Sequence, residues 1–138
     1  MRNAGFAFVA LMVLAAAALS CGSSPSPHLL QSVTINPATA DAQNYPNGQV
    51  QFTATGNFST KPSPVTPLSV EWGSCTLDGN TTSSVSVTTS GTAQCTGAAG
   101  TYTVWGFANS AEGPTCLAIN ACGGGCGRIT GTAQLTCP

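Results

Sequence analysis

The sequence has very little charge: three Lys and Arg residues and four Asp and Glu residues make up 5% of its 138 residues. A nucleic-acid-binding surface needs clustered basic side chains to neutralise phosphates, and Lys61 and Arg128 are the only bases after residue 20. Nucleic acid is therefore excluded as a partner. The scarcity of charged helix formers, together with 16 Gly and 9 Pro, also argues against a helical bundle.

Histidine is almost absent as well, because His28 is the single one and lies in a Pro/Ser-rich stretch. General acid–base catalysis requires titratable groups that converge in a pocket, whereas the four acidic residues are dispersed along the sequence. A nucleophile activated by His28 would have to recruit a residue that we expect to be disordered. We therefore predict no enzymatic activity, no catalytic residue and no cofactor.

Residues 1–20 are predicted to be a secretory signal peptide. Arg2 precedes an apolar run over residues 4–19, which is shorter than the roughly 20 residues that cross a bilayer as a helix. The run ends directly before Ser20 and Cys21. A retained membrane span is the alternative, and the short run without a stop-transfer flank argues against it.

The segment Ala18-Leu19-Ser20-Cys21 resembles a bacterial lipobox, in which a cysteine after a small residue is acylated and becomes the new N-terminus. The resemblance implies that Cys21 holds the mature protein on a membrane. The residue after the cysteine is Gly22 rather than Asp, and in this respect the segment resembles that of lipoproteins sent to the outer membrane. Leu19 stands two residues before the cysteine rather than three, so cleavage by the general signal peptidase, which gives a secreted protein, stays open.

The mature chain shows the pattern of an all-β sandwich, with short alternating segments separated by Gly, Pro and Asn turns. We expect one domain over residues 30–138, preceded by the lipidated cysteine and a flexible tether over residues 21–29. Seven strands, A to G, are predicted around residues 33–35, 50–54, 68–72, 85–87, 93–95, 101–108 and 128–137. A Gly/Cys-rich insertion, residues 109–127, separates the last two.

Five segments carry a family resemblance: SVTINP at 32–37, GQVQFTA at 48–54, VEW at 70–72, VSVTTSG at 85–91 and AGTYTV at 99–104. In this order and spacing they resemble the bacterial immunoglobulin-like (Ig-like) domain, group 2. The resemblance implies an Ig-like β-sandwich of about seven antiparallel strands, as in invasin and intimin type adhesins, and a family without catalytic residues. The cysteines and the insertion depart from the family pattern.

Six cysteines remain after Cys21, and an even number in an exported domain predicts a disulfide framework. Because successive strands alternate in direction, Cys75, Cys95 and Cys137 are expected at one end of the sandwich. Cys95 is in phase with the inward residues of strand E, and Cys137 with those of strand G. We therefore predict a Cys95–Cys137 disulfide.

The other three cysteines lie in the insertion. Cys126 is expected to pair with Cys116 or Cys122, and Cys75 either stays free or bonds to the remaining insertion cysteine, if the insertion folds down the outer face. A metal site is the alternative for these thiols. No paired C-x-x-C motif and no neighbouring histidine supports it, so we predict no metal.

Two aromatic residues of strand F form a candidate binding face. If Tyr102 and Val104 face the core, alternation sends Trp105 and Phe107 to the outer face of the sheet, where large aromatics are unusual. They would form a patch for a protein or glycan ligand. Two alternatives stay open: the insertion covers them as a lid, or a bulge breaks the alternation.

The expected function is a non-enzymatic cell-envelope module for adhesion, interaction or structural support, attached to the outer membrane or surface by its lipid. Its contacts are expected at the insertion and at the Trp105/Phe107 face, with a protein or glycan ligand. This step rests on analogy with the fold. The alternative is a small exported inhibitor or toxin-like protein that acts through its Cys/Gly-rich loop, and the lack of basic or aromatic residues at 121–127 argues against it.

Overall fold

The computed structural model describes residues 26–109, 122, 125 and 127–138. These residues form nine β-strands and two short 3-10 helices, Ala42–Asn44 and Pro46–Gly48. The strands are β1 (Leu30–Asn36), β2 (Thr39–Asp41), β3 (Gln49–Gln51), β4 (Thr53–Phe58), β5 (Glu71–Thr76), β6 (Val85–Val87), β7 (Thr92–Cys95), β8 (Gly100–Asn109) and β9 (Arg128–Cys137). The all-β class predicted from the alternating pattern is confirmed.

The strands pack as two layers around an apolar core. One layer is a four-stranded sheet in the order β2-β9-β8-β5. The other contains the β1-β4 pair and the sheet β3-β7-β6. These two parts form one layer, because only Phe52 separates β3 from β4 in the chain. Each sheet buries one face against the other layer, as sandwiches require. The core between them consists of Ile35, Ala42, Val50, Phe52, Val85, Ala93, Tyr102, Val104, Ala133, Leu135 and Cys137.

The prediction of about seven antiparallel strands is corrected in number and in direction. Strand A is divided after β1, where Pro37 has no N–H with which to continue the ladder to β4. The chain then crosses to the other layer as β2, which pairs in parallel with β9. Strand B is divided at Phe52, whose N–H donates to the carbonyl oxygen of Gly91 at 2.9 Å.

Strand C begins later than predicted: the prediction was residues 68–72, and β5 covers Glu71–Thr76. The residues before β5 are hydrogen-bonded to the other layer. The N–H of Leu68 donates to the carbonyl oxygen of Ala54 at 2.8 Å, and Val65 and Gly56 exchange two backbone hydrogen bonds of 2.9 and 3.0 Å. Sequence alternation does not reveal this change of partner, since Leu68 continues the same apolar phase.

The predicted inward and outward faces of strand B are confirmed. Val50, Phe52 and Ala54 are buried, whereas Gln49 and Gln51 are exposed. A period of two residues sends alternate side chains to opposite faces of a sheet, so one face meets the core and the other meets water.

Among the described residues, contacts with the sandwich are already present at Pro27, before the predicted domain boundary at residue 30. The Ser59 hydroxyl donates to the carbonyl oxygen of Pro27 at 2.7 Å and accepts from the N–H of Leu29 at 2.9 Å. The His28 ring stacks on Phe58, with centroids 4.3 Å apart. The last residues of the predicted flexible tether are therefore part of the packed domain, because the end of β4 offers them hydrogen-bond and ring partners.

The predicted signal peptide, residues 1–20, and the predicted lipidation site, Cys21, lie outside the described residues. In the part of the chain that the structure describes, no helix combines the length and the apolar character needed to cross a membrane.

Candidate functional site

The outer face of β8 carries the two aromatic residues of the predicted binding face. Tyr102 and Val104 belong to the core, and β8 pairs with β9 in an unbroken register along its whole length. The bulge alternative is therefore wrong, and alternation places Trp105 and Phe107 on the outer face. Their rings are stacked, with centroids 5.5 Å apart.

Burial differs between the two residues of the predicted binding face. Phe107 is 3% exposed, and the guanidinium carbon of Arg128 lies 3.7 Å from its ring centroid, within cation–π range. Trp105 is half-buried, and its indole lies against Gly73, the residue opposite it on β5. Phe107 is thus covered by packing, whereas the indole of Trp105 stays partly accessible. The insertion, which was the expected lid, lies almost entirely outside the described residues, so the binding face stays a prediction. Alternation shows on which side a residue lies but not what packs over it.

The predicted disulfide between Cys95 and Cys137 is confirmed. It joins the end of β7 to the end of β9 across the two layers, with the Cα atoms 5.7 Å apart. Cys137 is 3% exposed, and Cys95 packs against the core. Two inward residues at the same end of facing sheets lie within disulfide distance, which is why strand phase was enough to predict the bond.

A second disulfide joins Cys75 to Cys122 and attaches the insertion to the outer face of β5. Of the two alternatives for Cys75, the bond to an insertion cysteine is confirmed and the free thiol is wrong. Cys75 is fully buried, although it lies on the face opposite Trp72. Because Cys122 is already bonded, Cys126 does not pair with it, and the remaining predicted pair of Cys126 with Cys116 lies outside the described residues.

A groove that the sequence analysis did not predict opens beside β5. It forms where strand B changes its neighbour, because β3 pairs with β7 whereas β4 is hydrogen-bonded to residues 65–68. Its volume of about 550 Å³ lies within the usual range of small-molecule sites. The lining includes the apolar residues Phe52, Leu68 and Trp72 and the hydroxyl-bearing residues Thr53, Ser69 and Thr89.

Two glycines make room for the indole of Trp72 at this groove. Gly91 has a φ of +84°, and a Cβ there would lie 2.5 Å from the carbonyl oxygen of Phe52 and 2.9 Å from the indole. A Cβ at Gly106 would lie 3.2 Å from the same ring. Gly91 therefore meets both a backbone requirement and a packing requirement. Trp72 itself is half-buried and packs against the core.

Gln51 holds the mouth of the groove together. Its side-chain Nε2 donates to the carbonyl oxygens of Phe52 and Ser90, each at 2.8 Å. Its Oε1 accepts from the hydroxyl of Thr92 at 2.8 Å. The amide thus ties β3 to the turn before β7, and its polar atoms are engaged within the protein.

Three other polar side chains of the lining have hydrogen-bonding capacity to spare. The hydroxyls of Thr53, Ser69 and Thr89 make no hydrogen bond to any described residue. Acidic and basic side chains do not occur among the lining residues. The groove is therefore equipped to hold a ligand by neutral hydrogen bonds and apolar contact. Among the described residues, no three His, Cys, Asp or Glu side chains are grouped to hold a metal ion.

No known protein-family model matches this sequence, and no curated protein matches it. The resemblance to the group 2 Ig-like domain therefore depends on the five sequence segments quoted above. The groove and the covalent features of the chain are the structural features that bear on its function.

Proposed function

We propose that this protein is an exported, non-enzymatic Ig-like module that is anchored in the cell envelope through Cys21 and binds a ligand in the groove. The arrangement of the strands supports the Ig-like assignment. In one layer the chain segments follow the order β1, β3/β4, β7, β6, and in the other β9, β8 and β5 are neighbours. Ig sandwiches arrange strands A, B, E and D and strands G, F and C in the same way.

Tyr102 and Trp72 support the same assignment. The hydroxyl of Tyr102 donates to the carbonyl oxygen of Ala98 at 2.7 Å, just before β8. A tyrosine near the start of strand F that bonds back to the preceding corner recurs in Ig sandwiches, as does a tryptophan packed inward from strand C. The chain differs in its disulfide, which joins β7 and β9, the equivalents of E and G, rather than B and F.

Covalent features support the envelope location. Two disulfides among the described residues suit an oxidising, extracytoplasmic compartment. The apolar run at 4–19 and the lipobox-like segment before Cys21 support export and acylation. Pro27 already contacts the sandwich, so the chain would run only a few residues from an acylated Cys21 to the packed domain.

The groove is the observation that carries the binding role, because an Ig-like fold does not by itself specify a function. It places the half-buried indole of Trp72 beside hydroxyls that have no partner among the described residues. These groups hold a ligand by apolar contact and hydrogen bonds. A protein that only binds a ligand needs no catalytic group in addition to these contacts.

The location is tested with the full-length precursor, expressed in a bacterial host that has an outer membrane. We expect the wild-type protein to fractionate with membranes and to carry an acylated Cys21 at its N-terminus in mass spectrometry. Cys21→Ser should move the protein to the soluble exported fraction, because the lipid supplies the attachment. The control Ser24→Ala, which leaves the lipobox-like residues intact, should stay with membranes. Soluble wild-type protein with an unmodified N-terminus would contradict the anchor and favour the exported inhibitor.

A further inference from the structure

We propose that the groove beside Trp72 binds a neutral saccharide, with a sugar ring against the accessible part of the indole. This inference rests on the proposed binding function and adds the chemical class of the ligand. It is carried by the charge, the polarity and the hydrogen bonding of the residues that line the groove.

The lining is selective for an uncharged ligand. Its polar side chains are hydroxyls and the amide of Gln51, and the lining residues that the structure describes include no Lys, Arg, His, Asp or Glu. A charged ligand would lose hydration on entering and would meet no opposite charge there. A neutral polyhydroxy ligand exchanges its hydrogen bonds to water for bonds to the hydroxyls of Thr53, Ser69 and Thr89.

The groove is lined by both apolar and hydroxyl-bearing side chains, and a sugar ring also presents both kinds of surface. A pyranose presents C–H groups on its faces and hydroxyls around its edge. Trp72, Leu68 and Val70 supply an apolar surface, and Ser69 and Thr89 supply exposed hydroxyls beside it. A wholly apolar ligand would displace water from these hydroxyls without replacing its hydrogen bonds, which is unfavourable. A sugar ring, which is amphipathic, can contact both kinds of side chain.

Two backbone N–H groups at the groove are not available to an added peptide strand. Strand addition needs unpaired N–H and C=O groups along an edge. The N–H of Phe52 donates to Gly91 and the N–H of Leu68 donates to Ala54, at 2.9 and 2.8 Å. Because both N–H groups are already paired, neither of them can take part in strand addition.

The rim is ordered before a ligand arrives. Gln51 connects β3 to the carbonyl oxygen of Ser90, and the hydroxyls of Ser90 and Thr88 are 2.9 Å apart. The turn that carries Thr89 is closed by a hydrogen bond from the N–H of Gly91 to the carbonyl oxygen of Thr88, also at 2.9 Å. A preformed rim lowers the entropy lost on binding a small ligand.

Fluorescence of Trp72 provides the first test. The chain has two tryptophans, so Trp105→Phe in the mature protein leaves Trp72 as the single indole. The probes are two neutral tetrasaccharides, chitotetraose and cellotetraose, and the acidic tetragalacturonate. We expect at least one neutral probe to shift the emission with a Kd of about 1 mM, and the acidic probe to bind about tenfold more weakly or not at all. If neither neutral probe changes the emission or releases heat up to about 50 mM, with the protein folded, the proposal is overturned.

Paired variants provide the second test. Ser69→Ala/Thr89→Val removes two exposed hydroxyls of the groove. The control, Thr34→Val/Ser86→Ala, removes two exposed hydroxyls that do not line the groove, one on β1 and one on β6. We expect the groove variant to raise the Kd about tenfold at unchanged Tm and the control to leave it unchanged. Equal affinity of the two variants, or tighter binding of tetragalacturonate, overturns the proposal.

The two proposals fail separately. An acylated, membrane-bound protein that binds neither neutral tetrasaccharide would refute the ligand class and leave the envelope location intact. A soluble, unmodified protein that binds them in the groove would refute the anchor and support the saccharide site.

Discussion

The β5-β8 pair carries a tryptophan on each of its two faces, and each indole lies against a glycine of the other strand. Trp72 on β5 is opposite Gly106 on β8, and Trp105 on β8 is opposite Gly73 on β5. A Cβ at Gly106 would lie 3.2 Å from the first ring, and a Cβ at Gly73 would clash with the second. Both faces thus place a large ring where the neighbouring strand lacks a side chain.

The two faces differ in what surrounds the indole. Trp72 is packed by the opposite layer of the sandwich and borders the groove. Trp105 is packed by Phe107, which lies under the guanidinium of Arg128. Each face also has a disulfide, since Cys95–Cys137 joins the layers and Cys75–Cys122 ties the insertion to β5. The comparison teaches that, among the described residues, the inner face is stabilised by a whole sheet, whereas the outer face is stabilised by side-chain contacts and one disulfide rather than by a second sheet.

The largest effects are expected from the disulfides. Cys95→Ala/Cys137→Ala should lower the free energy of unfolding by about 4 kcal/mol, because the bond joins residues separated by 42 positions. Cys75→Ala/Cys122→Ala removes a link of similar separation, 47 positions, and should cost about the same if the constraint on the unfolded chain dominates. Denaturant unfolding of both variants measures the two losses. A much smaller loss for the outer pair would show that the faces differ in cross-linking as well as in packing.

The two tryptophans should differ more clearly than the two disulfides. Trp72→Ala should lower the free energy of unfolding by about 3 kcal/mol, since it leaves a cavity beside the core. Trp105→Ala should cost about half as much, because its indole lies on the face of the β5-β8 pair over which no second sheet of the described residues packs. Thermal and denaturant unfolding give both values. Equal losses would mean that the outer cover packs its indole as well as the core does.

Gly73 offers the smallest and sharpest test of the outer face. Gly73→Ala should lower the free energy of unfolding by about 1 to 2 kcal/mol, because its Cβ would displace the indole of Trp105. In a Trp105→Ala background the same change should cost close to nothing, since the clashing ring is gone. A double-mutant cycle measures this coupling. Additive losses would contradict the contact between Trp105 and Gly73.

Much of the sandwich followed from local patterns. Strands D and G were predicted at the residues where β6 and β9 lie, and the phase of Cys95 and Cys137 was enough to predict their bond. These features depend on the period-two geometry of a strand, which every strand expresses in its own residues. The division of strands A and B and the late start of β5 did not follow, because they depend on which layer each segment joins.

The sequence by itself determined the all-β class, the side of the sheet on which Trp105 and Phe107 lie, and one disulfide. The tertiary structure decided that Phe107 is covered, that Cys75 bonds to Cys122, and that a groove opens beside Trp72. The physical reason is the range of the interactions. Alternation is a property of adjacent residues, whereas covering and cavities arise where segments far apart in the chain meet, and no local pattern records which segments those are.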